Sequence, residues 1–337
     1  MKASLKPLPN QVIVITGASS GIGLVTARMA AQQGAKLVLA ARNEDALKQL
    51  VQEINSKGGK AIYVVADVGI EEQVNNIAER AIAEFGGFDT WVNNAGVSIF
   101  GLCEDVSIPD MKRMFDTNFW GTVYGSRAAV RQFKQSKKSG ALINVGSFLG
   151  DRAVVLQSTY CTSKHALHGW TDALRMELEA EGAPIAVTLI HPGRIDTPYN
   201  EHARSYLEKQ PAHGGMIYPP EAVADAILFA AAHSRRDMFV GFQAKALAVL
   251  GGISPRLTDK LMEIWGFPSQ QSDRPSRDRE DNALYHPGYG LHERGTHVGW
   301  IRSGRSLYVQ AEKYPVVATL TVVGIGAILW RFTTTVL

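Results

Sequence analysis

The chain has 337 residues, of which 45% are hydrophobic and 20% are charged, with a formal net charge of +3. This composition allows a buried core and excludes a disordered polyelectrolyte. The small net charge also argues against a nucleic-acid partner, which would require Lys and Arg concentrated on one face. Two cysteines, Cys103 and Cys161, are too few for a disulfide framework, so a reducing, cytoplasmic compartment is expected. The first residues lack an apolar stretch typical of a signal peptide, so secretion is not expected.

Short β-branched runs alternate with segments of helical period from residue 11 onward. Apolar residues between Val74 and Phe85 recur at helical spacing and stop at a Gly-Gly pair, which predicts a helix there. A first helix from Ile22 is expected to stop at Gly34. This alternation is typical of βαβ units, so the predicted fold is α/β, a Rossmann-type doubly wound parallel sheet. The predicted strands are residues 12–15, 36–40, 61–65, 90–93, 141–145, 185–190 and, as the weakest, 238–240.

The composition changes after Pro268, where a polar stretch rich in charge, glycine and proline begins. Such a stretch has no sustained period and is expected to be an extended or mobile linker rather than core. We therefore predict four units along the chain. They are a main domain over residues 8–250, a helical extension over 251–268, a polar linker over 269–313 and an apolar tail over 314–332.

The apolar tail is a candidate transmembrane helix. Residues 316–330 carry no charge and, with Tyr314 and Pro315, make about 17 residues, or roughly 25 Å of helix against a hydrocarbon core of about 30 Å. Tyr314 and Trp330 stand at the two ends, where aromatic belts occur, and the basic residues before the run place the main domain on the cytoplasmic side. The β-branched content also suits a strand or an amphipathic element folded over the substrate entrance.

A glycine-rich loop, TGASSGIG, follows the first predicted strand and opens a predicted helix. Small residues let the backbone approach a pyrophosphate, while exposed N–H groups and the helix N-terminus stabilise its charge. An ordinary strand-to-helix turn is the alternative, but the order of strand, loop and helix favours a dinucleotide site. The residues predicted to form it are Gly17, Ser19, Ser20, Gly21, Ile22 and Gly23.

Arg42 stands at the end of the second predicted strand, where an acidic residue would otherwise bind the ribose 2′-hydroxyl. A guanidinium can pair with a 2′-phosphate through two hydrogen bonds, which favours NADP(H) over NAD(H). Glu44 and Asp45 lie close by and weaken the argument, and a solvated arginine is the alternative interpretation.

Tyr160 and Lys164 are four residues apart in a segment of helical period, so both side chains can point from one helical face. Free tyrosine ionises near pH ~10. A neighbouring ammonium, reinforced by an oxidised nicotinamide, would favour the phenolate, which makes Tyr160 a candidate general acid/base. The pair alone is a weak signal because Tyr-x-x-x-Lys occurs by chance. The preceding glycine loop, the NNAG sequence at 93–96, Asn118 and Ser147 give it weight.

In this order the motifs closely resemble those of the short-chain dehydrogenase/reductase family, over roughly residues 8–250. The resemblance implies that Tyr160 exchanges a proton with the substrate oxygen and that Lys164 binds the nicotinamide ribose. It also implies that Ser147 hydrogen-bonds the reacting carbonyl or hydroxyl and that Asn118 holds a water of the proton relay. Asp67 and Val68 would contact the adenine, and Thr197 would hold the carboxamide. The remaining cofactor contacts implied are Asn94, Gly96, Pro192, Gly193 and Ile195.

The same resemblance implies a homo-oligomer and assigns substrate selection to the segment after the sixth strand, residues 199–220. This segment is a long connection of the kind that serves as a lid. Its large residues favour an apolar or aromatic carbonyl compound, such as a lipid, steroid or retinoid-like molecule, over a phosphorylated one; they are Tyr199, Tyr206, Met216, Ile217 and Tyr218.

Two further expectations concern function class and metals. A catalytically silent nicotinamide-binding sensor or scaffold at a membrane is the alternative to an oxidoreductase, but such a protein would be expected to have lost a catalytic residue. No metal site is expected, because His165, His168 and His191 do not form a ligand set and the resemblance places His191 in a turn beside the cofactor.

Overall fold

A parallel sheet of seven strands forms the centre of the computed structural model, which describes residues 3–297, 300–302 and 306–314. The strand order is β7-β6-β5-β4-β1-β2-β3, and every neighbouring pair is parallel. The fold predicted from the sequence is therefore confirmed. The strands are β1 (Val12–Thr16), β2 (Lys36–Ala41), β3 (Lys60–Val65), β4 (Thr90–Asn93), β5 (Gly140–Val145), β6 (Ile185–Pro192) and β7 (Asp237–Val240).

Helices cover both faces of the sheet, which explains why β1 and β5 are buried along their whole length. The predicted helix before Gly86 is α3, and Gly86 adopts the left-handed conformation with φ 74°. The helices are α1 (Gly21–Gln32), α2 (Glu44–Ser56), α3 (Glu71–Phe85), α4 (Ile108–Phe115), α5 (Gly121–Ser136), α6 (Ser158–Ala180), α7 (Pro220–Ala232), α8 (Phe242–Ile253), α9 (Pro255–Gly266) and α10 (Leu307–Lys313).

The sheet order reverses at β1, which pairs with β2 on one side and β4 on the other. In open parallel sheets this switch point creates a crevice at the carboxyl ends of the strands, where ligands bind. The glycine-rich loop follows β1, and the NNAG sequence, Ser147 and the His-Pro-Gly turn stand at the ends of β4, β5 and β6. The topology therefore collects the predicted motifs at one edge of the sheet.

The chain beyond β7 returns to the main domain. The short strand Gln271–Pro275 pairs antiparallel with Lys209–Pro211. Helix α10 packs on β7, where the Glu312 carboxylate accepts a 2.9 Å hydrogen bond from the backbone N–H of Phe239. Much of the stretch 269–313, for which the sequence predicts an extended or mobile linker, thus lies against the domain. The division of the chain into four units stays a prediction.

Within the described ranges, none of the helices is both long and apolar enough to cross a membrane. The residues on which the predicted membrane helix depends, from Pro315 onward, lie outside the described part of the chain.

Candidate active site

The glycine-rich loop forms a close-packed cradle between β1 and α1. Gly17 has φ +68°, and a Cβ added at Gly23 would lie 2.1 Å from the carbonyl oxygen of Gly17. Asn94 reinforces the loop from β4, because its Nδ2 donates to the carbonyl oxygen of Thr16 at 2.9 Å. Larger side chains at Gly17 or Gly23 would collide with Ala95, Asn94 or the backbone of the loop itself, so glycine permits this close packing at the N-terminus of α1. Binding of a pyrophosphate by the loop stays a prediction.

A cavity of about 540 Å³ opens at this edge of the sheet. Most of the predicted site residues line it; Gly23 and Asn118 do not. The predicted residues at its surface are Gly17, Ser19, Ser20, Gly21, Ile22, Arg42, Asp67, Val68, Asn94, Gly96, Ser147, Tyr160, Lys164, Pro192, Gly193, Ile195 and Thr197.

Tyr160 and Lys164 project from the first turns of α6, and the Lys164 Nζ lies 5.7 Å from the centroid of the Tyr160 ring. Burial raises the pKa of Tyr160 to about 12, although a hydrogen bond with Ser147 acts in the opposite direction. Burial lowers the pKa of Lys164 to about 8, and its Nζ donates to the carbonyl oxygen of Val145 at 2.9 Å. Tyr160 is therefore protonated at neutral pH, whereas the sequence led us to expect a pKa nearer the working range. The lysine is bonded to Val145 rather than to the phenol.

Ser147 lies on the turn that follows β5. Its Oγ accepts a hydrogen bond from the backbone N–H of Leu149 at 3.1 Å, which fixes the hydroxyl at the start of a short 3₁₀ helix, Phe148–Gly150. The side chain is buried against the cavity next to Tyr160. Ser147 and Tyr160 can therefore address the same oxygen atom of a ligand.

Asn118 occupies a π-helical turn, Asp116–Trp120, between α4 and α5. Its Oδ1 accepts from the Val97 backbone N–H at 2.9 Å, and its Nδ2 donates to the Val97 carbonyl at 3.0 Å and to the Ser163 Oγ at 3.2 Å. The side chain is fully buried and braces the loop after β4 against α6. The water-holding role expected for Asn118 stays a prediction.

The C-terminal extension contacts the glycine-rich loop. We call residues 282–292 the strap. The Leu291 N–H donates to the Ser19 carbonyl at 2.8 Å, and the Gly21 N–H donates to the His292 carbonyl at 2.9 Å. Asn43 adds a 2.9 Å hydrogen bond from its Nδ2 to the Gly288 carbonyl. The strap therefore forms the outer side of the predicted dinucleotide site.

Arg42 lies under the strap at the cavity wall. Its two terminal nitrogens donate to the carbonyl oxygens of Leu284, at 3.1 Å, and Ala283, at 2.5 Å. Burial lowers the pKa of Arg42, while the charge of Asp67 opposes this shift. Asp67 itself forms an ion pair with Arg113, a residue that no motif in the sequence marks because the two are 46 positions apart.

The wall that faces Tyr160 is largely aromatic and apolar, with Arg194 and a few uncharged polar side chains among its residues. Tyr199 packs edge-on against Tyr160 with ring centroids 5.4 Å apart and donates from its hydroxyl to Gln157 at 2.6 Å. His213 stacks on Tyr199, and burial lowers the pKa of His213 to about 3, so it is neutral. Helices α8 and α9, which the sequence did not link to the site, complete this wall with Phe242, Ala246, Leu247, Leu250, Met262 and Trp265.

The expected lid is only partly at the cavity. Tyr199 and Met216 line it. Tyr206 instead donates from its hydroxyl to Asp110 at 2.7 Å, and Ile217 and Tyr218 are buried in the core, so these three residues do not line the cavity. Spacing along the chain could not separate the two groups, because the segment is irregular.

Two of the three histidines lie together in the structure. His165 is exposed, but His168 and His191 meet Asp151 behind Ser147, with one ligand-type atom of each residue within 4.8 Å of the others. The expectation of no metal site stays a prediction. The cluster is a feature that the spacing of the histidines did not show.

Sequence comparison agrees with this geometry. The family described as short chain dehydrogenase matches residues 11–208. A relative named as the uncharacterized oxidoreductase YxnA of Bacillus subtilis is 65% identical over 327 residues, which cover 97% of this chain and 92% of that protein. The chain therefore belongs to the short-chain dehydrogenase/reductase family, whose members are oxidoreductases that use a nicotinamide cofactor.

Solved structures give the same result. A short-chain type dehydrogenase/reductase from Mycobacterium marinum is 30% identical with a TM-score of 0.62, and covers 69% of this chain and 95% of its own. A short-chain dehydrogenase/reductase from Burkholderia phymatum in complex with NAD is 26% identical with a TM-score of 0.66, and covers 82% of this chain and 100% of its own. The protein is thus an NAD(P)-dependent dehydrogenase/reductase.

Proposed function

We propose that this enzyme interconverts an alcohol and a carbonyl on an apolar substrate, with NADP(H) preferred over NAD(H). The observation that carries the proposal is the meeting of Ser147, Tyr160 and Lys164 at the base of a cavity whose other side is apolar. A silent sensor would not need an acid, a hydrogen-bonding hydroxyl and a buried lysine at one point.

When bound, the nicotinamide supplies or accepts the hydride. In reduction, the protonated Tyr160 hydroxyl donates its proton to the substrate oxygen, which Ser147 orients. The Lys164 ammonium, 5.7 Å from the ring, stabilises the negative charge that develops on the phenol. Because burial raises the pKa of Tyr160 to about 12, the acid form that donates the proton in reduction dominates at neutral pH.

The cofactor preference is supported by the position of Arg42 and the loop residues. Gly17, Ser19–Gly23 and Asn94 would hold the pyrophosphate side, and Arg42 would pair with a 2′-phosphate. Two of its nitrogens bind the strap, so the remaining N–H donors are those available to the phosphate. Asp67 and Val68 would contact the adenine, and Pro192, Gly193, Ile195 and Thr197 would hold the nicotinamide side.

The substrate class is supported by the lining of the outer side of the cavity. The polar side chains in contact with Tyr199 on this side are uncharged, because burial lowers the pKa of His213 to about 3 and Gln157 carries an amide. Arg194 also lines the cavity near His213, but its guanidinium already donates to the Gly214 carbonyl and the Ser269 hydroxyl, and the lining residues of α8 and α9 include no cation. A ring-containing or long-chain ketone or aldehyde fits such a surface.

The test is the loss of NADPH absorbance at pH 7 with a panel of apolar ketones and aldehydes, beside their phosphorylated or carboxylated counterparts. We expect turnover of the apolar members, with NADH giving a lower kcat/KM. Ser147→Ala should lower kcat, and Ser158→Ala, at the start of α6 and outside the cavity lining, is the control. Absence of turnover throughout, with NADPH still bound, would support the sensor alternative.

Membrane attachment through residues 314–332 and homo-oligomer assembly also remain proposals. The first is supported by the exposed apolar surface of α8 and α9, where Ile253 and Ile264 are 79% and 74% exposed. A chain ending after Tyr314 retains the contacts of α10 with β7 and Asp225. We expect the truncated chain to be recovered in the soluble fraction and to keep its turnover. Recovery of the full-length chain in the soluble fraction without detergent would contradict attachment.

A further inference from the structure

A network of two buried histidines and two half-buried aspartates lies behind Ser147 and has no part in the proposed chemistry. The Asp151 carboxylate lies 3.3 Å from the His168 Nδ1 and 2.8 Å from the His191 Nδ1. The His191 Nε2 lies 3.2 Å from the Asp237 carboxylate. His168 and His191 are buried, and their rings pack edge-on at 4.7 Å. Since the nitrogens already have protein partners, the network is best explained as a chain of hydrogen bonds.

The partners define the protonation of both histidines. His191 faces a carboxylate at each nitrogen, so both nitrogens must donate. Burial alone would lower the pKa of His191, but its hydrogen bonds with Asp151 and Asp237 outweigh burial and raise that pKa. Burial lowers the pKa of His168 despite the hydrogen bond with Asp151, so His168 is neutral at pH 7. Its one proton is on Nδ1, toward Asp151, which leaves Nε2 as an acceptor.

The free acceptor of His168 faces the turn that carries Ser147. The Ser147 backbone N–H lies 3.5 Å from the His168 Nε2, a long hydrogen bond with the correct polarity. A Cβ added at Gly146 or at Gly150 would come within 2.5 Å of the His168 ring. The ring therefore fills the space beneath this turn and contacts it on both sides of Ser147.

The network also joins the other parts of the site. His168 stands one helical turn after Lys164 on α6, and His191 precedes Pro192 and Gly193, which line the cavity. His191 stacks on Phe239 of β7 at 4.1 Å. Helix α6, the end of β6 and the turn after β5 all carry site residues. These three segments thus meet at the Asp151 carboxylate.

We propose that His168, held in place by Asp151, is a positioning residue that fixes the turn of Ser147 so that its hydroxyl meets the same oxygen as Tyr160. The inference rests on the role proposed above for Ser147. The proposal requires a neutral imidazole that donates a hydrogen bond to Asp151 and accepts one from the Ser147 N–H. A glutamine can make both contacts, while a leucine of similar volume can make neither.

The first test does not depend on a substrate. In the full chain with ¹⁵N-labelled histidine and serine at pH 7, we expect His168 as the neutral Nδ1–H form and His191 with both nitrogens protonated. The Ser147 amide resonance should shift in His168→Gln and further in His168→Leu. A protonated His168, or the Nε2–H form, would overturn the proposal because the Ser147 N–H would then have no acceptor.

The second test uses NADPH oxidation with 4-nitrobenzaldehyde, with rates normalised to NADPH-binding sites. We expect His168→Leu to lower kcat at least tenfold, while its Kd for NADPH stays within twofold of the parental value. The kcat of His168→Gln should lie within threefold of the parental kcat. His165→Leu, at an exposed position of the same helix, is the control and should match the parent. A leucine variant within twofold of the parent, or a glutamine variant as slow as leucine, would overturn the proposal.

The two readouts separate this inference from the proposed function. A parent protein that turns over no carbonyl contradicts the proposed function, while the histidine spectra and the Ser147 shift still decide whether the contact exists. If His168→Leu does not fold, the glutamine variant and those spectra decide the outcome.

Discussion

The two walls of the cavity are held together by different means. The inner wall consists of the loops at the strand ends and α6, and it is fixed by buried side chains such as Asn118 and Lys164, which are 0% and 4% exposed. The outer wall consists of Tyr199, α8, α9 and the strap. In this wall Phe242 is 49% exposed and Trp265 is 63% exposed. The strap is held largely by hydrogen bonds to its backbone carbonyls.

This difference separates two tasks. Proton transfer needs atoms fixed to within a fraction of an ångström, which buried and fully bonded side chains provide. Substrate and cofactor selection needs a surface that contacts the non-reacting parts of the ligand. We therefore expect substitutions in the inner wall to act on kcat and substitutions in the outer wall to act on KM.

The largest effect is expected for Tyr160→Phe in the inner wall. The ring and its contact with Tyr199 remain, but the transferable proton is lost, so kcat should fall by about 10²- to 10⁴-fold. NADPH affinity, measured by fluorescence titration, should stay within a few-fold of the parent. The matched control is Tyr124→Phe, because Tyr124 stacks on Trp120 and does not line the cavity. Retention of parental turnover would assign the proton transfer to another group.

The next effect is expected for Arg42→Asp, where the inner wall meets the strap. The variant should lose one charge-assisted contact, on the order of 1.5 to 3 kcal/mol of NADPH binding, or about 10- to 150-fold. NADH binding should be kept or improved. The ratio of the two dissociation constants is the measurement, because a loosened strap affects both cofactors alike. An unchanged ratio would contradict the preference, and Lys48→Asp on the exposed face of α2 controls for net charge.

A smaller effect is expected on the pH dependence of kcat for carbonyl reduction, through Lys164 in the inner wall. Burial lowers the pKa of Lys164 to about 8, so its ammonium is present below that pH and is lost above it. Because the ammonium stabilises the developing phenolate, kcat at saturating NADPH should be constant from pH 6 to 7.5 and should fall about tenfold by pH 9. A rate that rises steadily to pH 9.5 would show that Lys164 does not act in its charged form.

The smallest effect is expected in the outer wall. Trp265→Ala removes an apolar surface from the cavity, so KM for an apolar ketone should rise by about three- to tenfold with kcat unchanged. Ile264→Ala on the same helix is the control, because Ile264 is 74% exposed and does not line the cavity. If Trp265→Ala lowers kcat instead, the separation of the two walls is wrong.

The sequence predicted the inner wall well because motif and topology agree there. Each motif follows a predicted strand, and parallel strands end at one edge, so Gly17, Asn94 and Ser147 had to meet. Periodicity also found α3, whose apolar face and glycine cap are local features. The place of His168 could have been inferred from its spacing of four residues after Lys164.

The outer wall could not be predicted in the same way. The strap binds Arg42 through the carbonyls of Ala283 and Leu284, and every residue type has a carbonyl, so no pattern in the sequence marks these positions. Its polar composition suggested a linker because it contributes few residues to the core. The use of α8 and α9 as a cavity wall depends on the path of the chain after β7, which periodicity does not report.

The strap also sets an order of events during synthesis. The glycine-rich loop between β1 and α1 is synthesised early, and the last strand of the sheet is complete at Val240. The Gly288 carbonyl that binds Asn43, 245 residues away in the chain, is added roughly fifty residues after that strand, or about 2 to 10 s later at ribosomal rates of 5–20 residues per second. Throughout this interval the backbone groups of Ser19 and Gly21 lack their partners in the strap. The glycine-rich loop therefore reaches its final set of hydrogen bonds only after the whole sheet has been made.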